Sequence, residues 1–234
     1  MEEKILIQKG KSKNVYQDNG SDRVILEFKD SDGRFDGETK AKFEEKGSFK
    51  SLISGTVFDY LSGYNIPTHL IKMNGGRELI AKKLEMIPID IYIYNYAVGR
   101  LSKNFKLKSG MPLKYPVIEY YLKEGEMAGT LIAESHAYAF EYASPDEMKH
   151  ISRLATKVNA VLKAFFERRK LQLINFKLEF GRHRNQLYLG DEFTPDISRI
   201  WKIENGKADK SYFKYDKNNT RNSYEELTRL ITGA

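Results

Sequence analysis

The sequence predicts an α+β protein, and three observations support that fold class. Residues 172 to 180 alternate between two faces, as the side chains of a strand do. Residues 48 to 62 and 148 to 165 carry apolar side chains at helical spacing. The elements follow the order strands, helix, strands, polar loop, helix, hairpin, helix, which is typical of α+β proteins.

The composition restricts the class of protein and its compartment. The chain has 234 residues, no cysteine and four scattered histidines. This length allows one large domain or two small ones with a hydrophobic core. Without cysteine there are no disulfides, no cysteine-ligated zinc and no thiol nucleophile, and the histidines lack metal-ligand spacing. The sequence shows neither an apolar run of membrane-spanning length nor a signal peptide, so we expect a cytoplasmic protein with no membrane partner.

The charge balance is basic, with 39 lysines and arginines against 32 acidic residues, a net charge of +7. Such an excess can indicate nucleic-acid binding. The basic residues are spread along the chain among acidic ones, and no known nucleic-acid-binding motif occurs. We therefore expect a phosphorylated small molecule rather than nucleic acid as the partner.

The N-terminal segment reads as a strand, a glycine turn and a second strand. The first strand spans residues 5 to 8, and the turn is Gly10-Lys11-Ser12-Lys13. Glycine lets the backbone approach a phosphate, and Lys11 and Lys13 alternate onto one side, so this turn could lie over the phosphates of a nucleotide. Taken alone, the four residues fit a plain hairpin turn better.

A strand over residues 24 to 28 leads into a loop over residues 29 to 37 that is too rich in aspartate and glycine for regular structure. This loop is not an EF-hand calcium site, because no glutamate stands six residues after Gly33 or Gly37. A helix over residues 48 to 62, ended by Gly63, is predicted to pack on the core and to carry no chemistry. Further strands are expected over residues 66 to 71, 79 to 86 and 89 to 96.

The C-terminal half begins with a loop that contains His136, which we interpret as a packing or surface residue rather than an acid or base. Ser144-Pro145-Asp146-Glu147 is a capping box, and an apolar stripe continues that helix to about residue 166. After the strand at 172 to 180, a short hairpin is expected over residues 202 to 210. A final helix is expected to start at Ser223.

The strand at 172 to 180 is the best candidate for a functional site. It carries Lys177 and Glu179 on the face opposite Phe176, and a returning strand ends at Asp191. A loop of three residues between His183 and the returning strand would set Glu179 opposite Asp191. Facing carboxylates need a cation between them, and their oxygens suit the Mg²⁺ of a nucleotide. On alternation alone, a surface hairpin with a solvated charged face explains the pattern better.

Two longer motifs change that interpretation. Residues 176 to 181 read FKLEFG and residues 191 to 201 read DEFTPDISRIW. This region resembles the signature of the SAICAR synthetase family, which reads close to DFKLEFG, DE(I/F)SPD and (S/C)RLW at the same spacing. The glycine turn followed by Val15-Tyr16 also matches the nucleotide loop GK(A/S)K of that family. The resemblance extends from Gly10 to the C-terminus.

The resemblance implies a two-lobed fold with ATP in the cleft. A small antiparallel lobe, residues 1–88, would clasp ATP against a larger lobe, residues 89–234. The family's site residues correspond here to Lys177, Glu179 and Asp191 as the catalytic residues; Glu179 and Asp191 as Mg²⁺ ligands; Lys11, Lys13, Lys82, Glu85 and Met86 as ATP contacts; and Asp36, Tyr94, Arg100 and Arg199 as substrate contacts.

The chain departs from the family on the substrate side. The family has an arginine and a serine, both directed at the substrate phosphate, where this chain has Tyr94 and Arg100. It also has an aspartate and an asparagine where this chain has Gly129 and Ala133. A phenol cannot make the paired hydrogen bonds of a guanidinium, so we expect a phosphate pocket that is rebuilt around Arg100 or lost.

The resemblance implies an ATP-dependent ligase that joins a carboxylate to an amine through an acyl phosphate, with ATP and Mg²⁺ as cofactors. The departures favour a divergent paralogue with an altered carboxylate substrate, and aspartate or another amino acid as the amine. Genuine SAICAR synthetase activity in purine biosynthesis is the close alternative. An inactive nucleotide-binding protein and a small-molecule kinase are further alternatives. A homo-oligomer is compatible with the sequence.

Overall fold

The computed structural model describes residues 4–18, 22–31, 33–35, 38–40, 42–123, 125–210 and 217–233. The strands are β1 Ile5–Lys9, β2 Lys13–Gln17, β3 Arg23–Phe28, β4 Gly33–Phe35, β5 Glu38–Lys40, β6 Leu70–Met73, β7 Glu78–Lys82, β8 Glu85–Met86, β9 Ile89–Ala97, β10 Met111–Leu122, β11 Leu131–Ile132, β12 Leu171–His183, β13 Gln186–Gly190, β14 Ser198–Glu204 and β15 Lys207–Asp209. The helices are α1 Lys46–Ser62, α2 Gly99–Asn104, α3 Glu134–Ala139, α4 Pro145–Glu167 and α5 Lys217–Thr232. This mixture of antiparallel sheets and helices confirms the α+β class. Within the described ranges, no helix is both long enough and apolar enough to cross a membrane.

The N-terminal strands form a five-stranded antiparallel sheet in the order β1-β2-β3-β7-β6. Its glycine turn is closed by a hydrogen bond of 2.9 Å from the Gly10 amide to the Lys13 carbonyl. Buried apolar side chains of β3 and β7 form a small core of their own, which includes Phe28 and Leu79. The strand, glycine turn and strand expected at the N-terminus are therefore confirmed.

The second sheet has eight strands and is organised around β12. Its order is β11-β10-β9-β12-β14-β15, and the far end of β12 pairs with β8 and β13. Helix α4 packs its apolar stripe, which includes Ile151 and Val158, into the same core as Phe176 and Leu178 of β12. Helix α4 thus supports the back of the strand that carries the candidate site. The domain boundary at residue 88 stays a prediction.

The helices follow the sequence predictions in part. The capping box of α4 is present, because the Glu147 amide donates to Ser144 Oγ at 3.2 Å and the Ser144 amide donates to Glu147 Oε2 at 2.8 Å. Helix α5 begins at Lys217, so the predicted start at Ser223 was wrong. Ser223 is buried on that helix, where it belongs to the packed face rather than to the helix end.

Helix α1 ends before Gly63 and packs on the core as predicted, but its buried side also carries charged residues, which the apolar pattern did not indicate. Lys46 and Lys50 lie on its buried side and have no exposed surface. A lysine in a protein interior needs a partner for its charge. Both lysines form ion pairs with Asp196, which follows β13 in the chain. The helix is therefore part of a buried charge network as well as of the core.

Residues 29 to 37 do not form the fully irregular loop that was expected. They include β4, which pairs with β5 in a short antiparallel hairpin. Phe35 is buried on this hairpin and stacks on Tyr92 of β9, with ring centroids 5.6 Å apart. That aromatic contact holds the segment in strand conformation, against the glycine and aspartate content of the loop. Asp36 lies outside the described residues.

The alternation of β12 is interrupted, so the two predicted faces were wrong at one end of the strand. Its pairing with β14 shifts register between Leu173 and Asn175, which is the signature of a β-bulge. Leu173 lies in the main core, Ile174 lies in a second core on the other side, and Phe176 lies in the main core again. Ile174 therefore faces the side opposite to the one that a continuous alternation predicts, whereas Phe176, Leu178 and Phe180 share one face as predicted.

Candidate functional site

The site is built on the hairpin of β12 and β13, whose turn differs from the expected one. Arg184 and Asn185 both have positive φ angles, 49° and 62°, which is typical of a two-residue type I′ turn. The predicted three-residue loop was wrong, and the shorter loop moves the register by one. Glu179 pairs with Gly190 rather than with Asp191. Asp191 follows the end of β13 with a φ of 62° and lies diagonal to Glu179.

Two lysines hold the carboxylate of Glu179. Lys177 forms an ion pair with Glu179 Oε1 and lies 3.3 Å from Asp90 Oδ1 of β9. Lys123, which follows β10, donates to Glu179 Oε2 at 2.5 Å. Glu179 is only 2% exposed. This face of β12 is therefore buried at Glu179, whereas alternation alone suggested a face in contact with solvent.

A third lysine joins the glycine turn to the other carboxylates. Lys13 forms an ion pair with Asp191 Oδ1 and lies 3.1 Å from Glu192 Oε1. Lys13 is well shielded, whereas Lys11 is exposed and makes no hydrogen bond or ion pair with the part of the chain that the structure describes. The structure thus brings Lys13 into the site and leaves Lys11 at its rim.

These charges determine one another's protonation. Burial and the charge of Asp191 raise the pKa of Glu179, in opposition to the nearby lysines. Burial acts on Asp191 in the same direction, but the charges of Lys13 and Lys177 outweigh it and lower the pKa of Asp191 below its ordinary value. The pKa of Lys177 is raised well above its ordinary value, because Glu179 and Asp191 outweigh its burial. The lysines therefore stay charged at neutral pH.

The donor set suits a magnesium ion that arrives with a nucleotide. Among the described residues, no cluster of three or more histidine and acidic side chains is present that could hold a metal by itself. Glu179 and Asp191 offer hard carboxylate oxygens, and Mg²⁺ is commonly held by one or two carboxylates together with substrate phosphates and water. The site therefore fits Mg²⁺ bound to phosphate better than a permanent metal ion.

The chain that connects the two sheets, residues 83–88, packs against the β12–β13 hairpin at Gly181 and Gly190. Strand β8 pairs with β12 so that Met86 lies opposite Gly181. A Cβ at Gly181 would lie 2.9 Å from the Leu84 Cβ, and one at Gly190 would lie 2.9 Å from the Leu84 Cδ1. Gly181 is thus needed for the close approach of β8, whereas the end of the Leu84 side chain could move away from a Cβ at Gly190. Glu85, in contrast, has a side chain that is 78% exposed and pairs with Arg182 at 3.2 Å.

Lys82 lies at the end of β7, beside the same hairpin. Its Nζ is 5.3 Å from the centroid of the Tyr188 ring, and its amide donates to the His69 carbonyl at 2.8 Å. The His69 ring is buried, its Nε2 has no hydrogen-bond partner among the described residues, and burial lowers its pKa to about 4. At neutral pH, His69 is therefore an uncharged side chain close to the charged residues of the site.

The substrate side, as the sequence motifs define it, is lined by aromatic rings. Tyr94 has no exposed surface and stacks on Tyr92, with centroids 6.3 Å apart. The Arg100 guanidinium lies 5.6 Å from the Tyr92 centroid and 5.0 Å from the Tyr121 centroid, within the range of cation–π contacts. Tyr121 in turn donates to Glu119 Oε2 at 2.6 Å. Arg100 is thus held against rings at the edge of this cluster.

Three residues of the substrate side form a row across the sheet. Asn175 of β12 pairs with Tyr94 of β9 on one side and with Arg199 of β14 on the other. Arg199 is buried, and its Nη1 donates to Asn175 Oδ1 at 2.8 Å. Within this row, the guanidinium of Arg199 is therefore bound by the side-chain amide of Asn175, which carries no charge.

The loop after β10 contributes less than the motifs suggested. Gly129 is exposed, and Ala133 serves as the N-cap of α3. The Ala133 amide donates to Nδ1 of His136 at 3.1 Å, which agrees with the packing role expected for this histidine. Glu134 Oε1 accepts a hydrogen bond of 2.9 Å from Tyr120.

Sequence reasoning missed several members of the site. Lys123 follows β10 and Asp90 lies on β9, both far from β12 in the chain, and no local pattern marks them. Glu192 and Asp196 lie inside the second motif and were left without a role, although a buried acidic residue beside a predicted lysine turn was a signal that could have been used. Asp90, Glu192 and Asp196 are bonded to lysines of the site or of α1, and Lys123 is bonded to Glu179.

Comparison with known proteins gives a consistent result. The model of the SAICAR synthetase family matches residues 6–232. The phosphoribosylaminoimidazole-succinocarboxamide synthase of Prosthecochloris aestuarii is 38% identical over 227 residues, which are 97% of each chain. The enzyme of the same name from Clostridium kluyveri is 37% identical over 228 residues, also 97% of each chain.

Solved structures agree with these sequence relatives. The crystal structure of phosphoribosylaminoimidazole-succinocarboxamide synthase from Ehrlichia chaffeensis is similar with a TM-score of 0.89 and 33% identity, over 98% of this chain and 99% of that one. A SAICAR synthetase in complex with ADP has a TM-score of 0.88 and 36% identity, over 97% of each chain. The matches span nearly all of the chain and include both motifs. The chain therefore belongs to the SAICAR synthetase family of ATP-dependent, amide-forming ligases.

Proposed function

We propose that this protein is a phosphoribosylaminoimidazole-succinocarboxamide synthase, which uses ATP to join carboxyaminoimidazole ribotide to aspartate. The observation that carries the proposal is the arrangement of Lys13, Lys123 and Lys177 around Glu179 and Asp191. Relatives with this activity in their names share 36% to 38% of their residues with nearly the whole chain. Lys13 comes from β2, Lys123 from the residue directly after β10 and Lys177 from β12. These elements are far apart in the chain, and their meeting around two carboxylates supports the assignment of a site.

The proposed residues divide the work of binding. Lys13 would hold the β- and γ-phosphates, and Lys82, Glu85 and Met86 would border the rest of the nucleotide. Arg199 would hold an anionic group of the carboxylate substrate, together with the aspartate at position 36. When bound, Mg²⁺ held by Glu179 and Asp191 would neutralise charge on the transferred phosphoryl group. The lysines that now occupy these carboxylates would turn towards phosphate oxygens.

The chemistry proceeds in two balanced steps. A carboxylate oxygen of the substrate attacks the γ-phosphorus of ATP, the bond to the bridging oxygen breaks, and ADP leaves. The amine of aspartate then attacks the acyl carbon of the acyl phosphate. The bond from this carbon to the phosphate oxygen breaks, inorganic phosphate leaves, and the amine nitrogen loses a proton. Positioning and charge stabilisation by Lys123 and Lys177 supply most of the catalysis in such a transfer.

A second candidate keeps this chemistry but changes the carboxylate. It is favoured by Tyr94, which is fully buried in an aromatic cluster, and by Arg100, which lies against two rings. This substrate side differs from the arginine and serine that the family motif presents. The amine and the acyl phosphate would be unchanged, and only the recognition of the carboxylate substrate would differ.

Turnover by the purified protein separates the two candidates. The protein would be mixed with Mg-ATP, aspartate and carboxyaminoimidazole ribotide, and both ADP and the succinocarboxamide would be measured. We expect stoichiometric formation of both at a kcat of about 1–10 s⁻¹. ADP formation that requires a different carboxylate would favour the second candidate. The absence of ADP with every heterocyclic carboxylate tested would contradict both.

A further inference from the structure

Two buried lysines on helix α1 have no role in the chemistry described above. Lys46 and Lys50 stand one helical turn apart and are 0% exposed. Both reach the carboxylate of Asp196, Lys46 at 2.8 Å from Oδ1 and Lys50 at 3.6 Å from Oδ2. Tyr224 of α5 also donates to Oδ1 of Asp196, at 2.7 Å. Burying two ammonium groups beside one carboxylate costs free energy, which calls for an explanation beyond simple packing.

The two lysines differ in what else they touch. Lys50 donates to Ser12 Oγ at 2.6 Å and lies 3.2 Å from the Ser12 carbonyl oxygen, so it grips the glycine turn by side chain and backbone. Lys46 donates instead to the Ser31 carbonyl, at 3.0 Å, which is not part of that turn. The lysines thus share Asp196, but among the described contacts only Lys50 reaches the turn.

The Lys50 contact continues into the candidate site. Ser12 immediately precedes Lys13, which pairs with Asp191 and Glu192. The centroid of the Phe28 ring lies 5.9 Å from Nζ of Lys13 and 5.9 Å from Nζ of Lys50. Burial alone would raise the pKa of Glu192, but the charges of Lys13 and Lys50 lower it, with a small contribution from the Ser12 hydroxyl. The chain of contacts therefore runs from Asp196 through Lys50 and Ser12 to Lys13.

Helix α1 holds the other end of this chain as well. Ser54 Oγ of α1 accepts a hydrogen bond of 3.1 Å from the Phe193 amide, between Glu192 and Asp196. Helix α1 therefore contacts both the glycine turn and the segment 192–196, which directly follows Asp191. A loop that must bind phosphate loses less entropy on binding when it is held in place beforehand.

We propose that Lys50 is a positioning residue, which fixes the glycine turn against the segment 192–196 so that Lys13 is ready to hold the β- and γ-phosphates of a nucleoside triphosphate. This inference rests on the proposed function, because it takes Lys13 as a phosphate contact. Lys46 stabilises the same carboxylate without positioning the turn. On this interpretation Lys46 has a structural role only, whereas Lys50 also prepares the glycine turn for binding.

The test compares Lys50→Met with the matched control Lys46→Met in the full chain. Calorimetry would give the Kd of ATP and of AMP for each, and thermal unfolding would report the structural cost. We expect Lys50→Met to weaken ATP by about tenfold, in line with the loss of a hydrogen bond to a charged group, and to change AMP by less than about twofold. Lys46→Met should lower Tm to a similar extent with an unchanged ratio of the two affinities.

A milder variant keeps the test decisive if a lysine variant does not fold. Ser12→Ala removes only the hydroxyl, and it should also weaken ATP more than AMP. In the Lys50→Met background it should add little further loss, because the two residues act through one contact. An unchanged ratio of ATP to AMP affinity in Ser12→Ala, or an equal change of that ratio in the two lysine variants, would overturn the inference.

Lys13→Ala distinguishes failure of this inference from failure of the proposed function. If Lys13→Ala leaves the ratio of ATP to AMP affinity unchanged, the glycine turn does not hold phosphates and the proposed site itself is wrong. If Lys13→Ala lowers that ratio while Lys50→Met leaves it unchanged, the site stands and only the positioning role of Lys50 is wrong.

Discussion

The two sides of the candidate cleft are built from different kinds of side chain. The nucleotide side is a lattice of full charges, in which Lys13, Lys123 and Lys177 hold three carboxylates. The substrate side is a cluster of aromatic rings with Arg100 at its edge. Strand β12 forms part of both sides, since it carries both Asn175 and Glu179, four residues apart.

The difference teaches where a family can change without losing its chemistry. A charge lattice constrains every member, because removing one partner leaves another charge buried and unpaired. An aromatic cluster tolerates exchange more readily, since ring packing depends on volume and shape rather than on a matching charge. The departures from the family motif at Tyr94 and Arg100 lie on the tolerant side.

The largest expected effect comes from breaking the charge lattice. Glu179→Gln and Asp191→Asn should each lower kcat by a factor on the order of 10³, because the transferred phosphoryl group loses charge stabilisation. Steady-state turnover and calorimetry with Mg-ATP would measure this. Glu204→Gln, an exposed carboxylate on β14, is the control and should behave as the wild type. Unchanged Mg-ATP binding in both site variants would remove the metal assignment.

The next effect separates the two lysines of the glycine turn. Lys13→Ala should weaken ATP by roughly 10- to 100-fold and AMP far less, since the lost contacts lie at the β- and γ-phosphates. Lys11→Ala should have a smaller effect, because Lys11 is exposed at the rim. Calorimetry with both nucleotides would measure the four affinities. Equal losses in the two variants would mean that the exposure of Lys11 does not reflect its role in the complex.

A third prediction tests the tolerance of the aromatic side. Tyr94→Arg places a guanidinium in a fully buried position beside Asn175, and it should lower the free energy of unfolding by about 2–3 kcal/mol. Adding Asn175→Asp supplies a neighbouring carboxylate and should recover at least about half of that loss. Denaturant unfolding of both variants would measure the coupling. A double variant that is less stable than Tyr94→Arg would contradict it.

The prediction with the smallest effect at neutral pH is a pH dependence caused by His69. Its pKa is lowered by burial to about 4, below the ordinary value of 6.5, so the unfolded chain takes up a proton that the folded protein does not. Above pH 6.5 this costs nothing, and from pH 6.5 down to about 4 stability falls by about 1.4 kcal/mol per pH unit. His69→Gln should lack that slope, so the difference between the free energies of unfolding of the two proteins, measured by denaturant unfolding at each pH, should change between pH 6.5 and about 4. Parallel curves would contradict the prediction.

Much of the fold could be predicted because its signals are local. The capping box at Ser144 and the apolar stripe that follows it specify α4 within one segment, and the glycine turn specifies the β1–β2 hairpin. The motifs around Glu179 and Asp191 indicated both the family and the principal carboxylates. The errors in β12 have a common cause, since neither a bulge nor a two-residue turn changes the apolar pattern by more than one position.

The sequence by itself determined the α+β class, the family and the identity of the central carboxylates. The tertiary structure alone decided which cations meet them. Lys123 is 56 residues from Glu179, and Lys50 is 38 residues from Ser12. A lysine at the end of β10 or on the inner side of a helix looks like any solvated lysine in the sequence. Its role follows only from burial beside a carboxylate, and packing of the two sheets around α1 and β12 creates that burial.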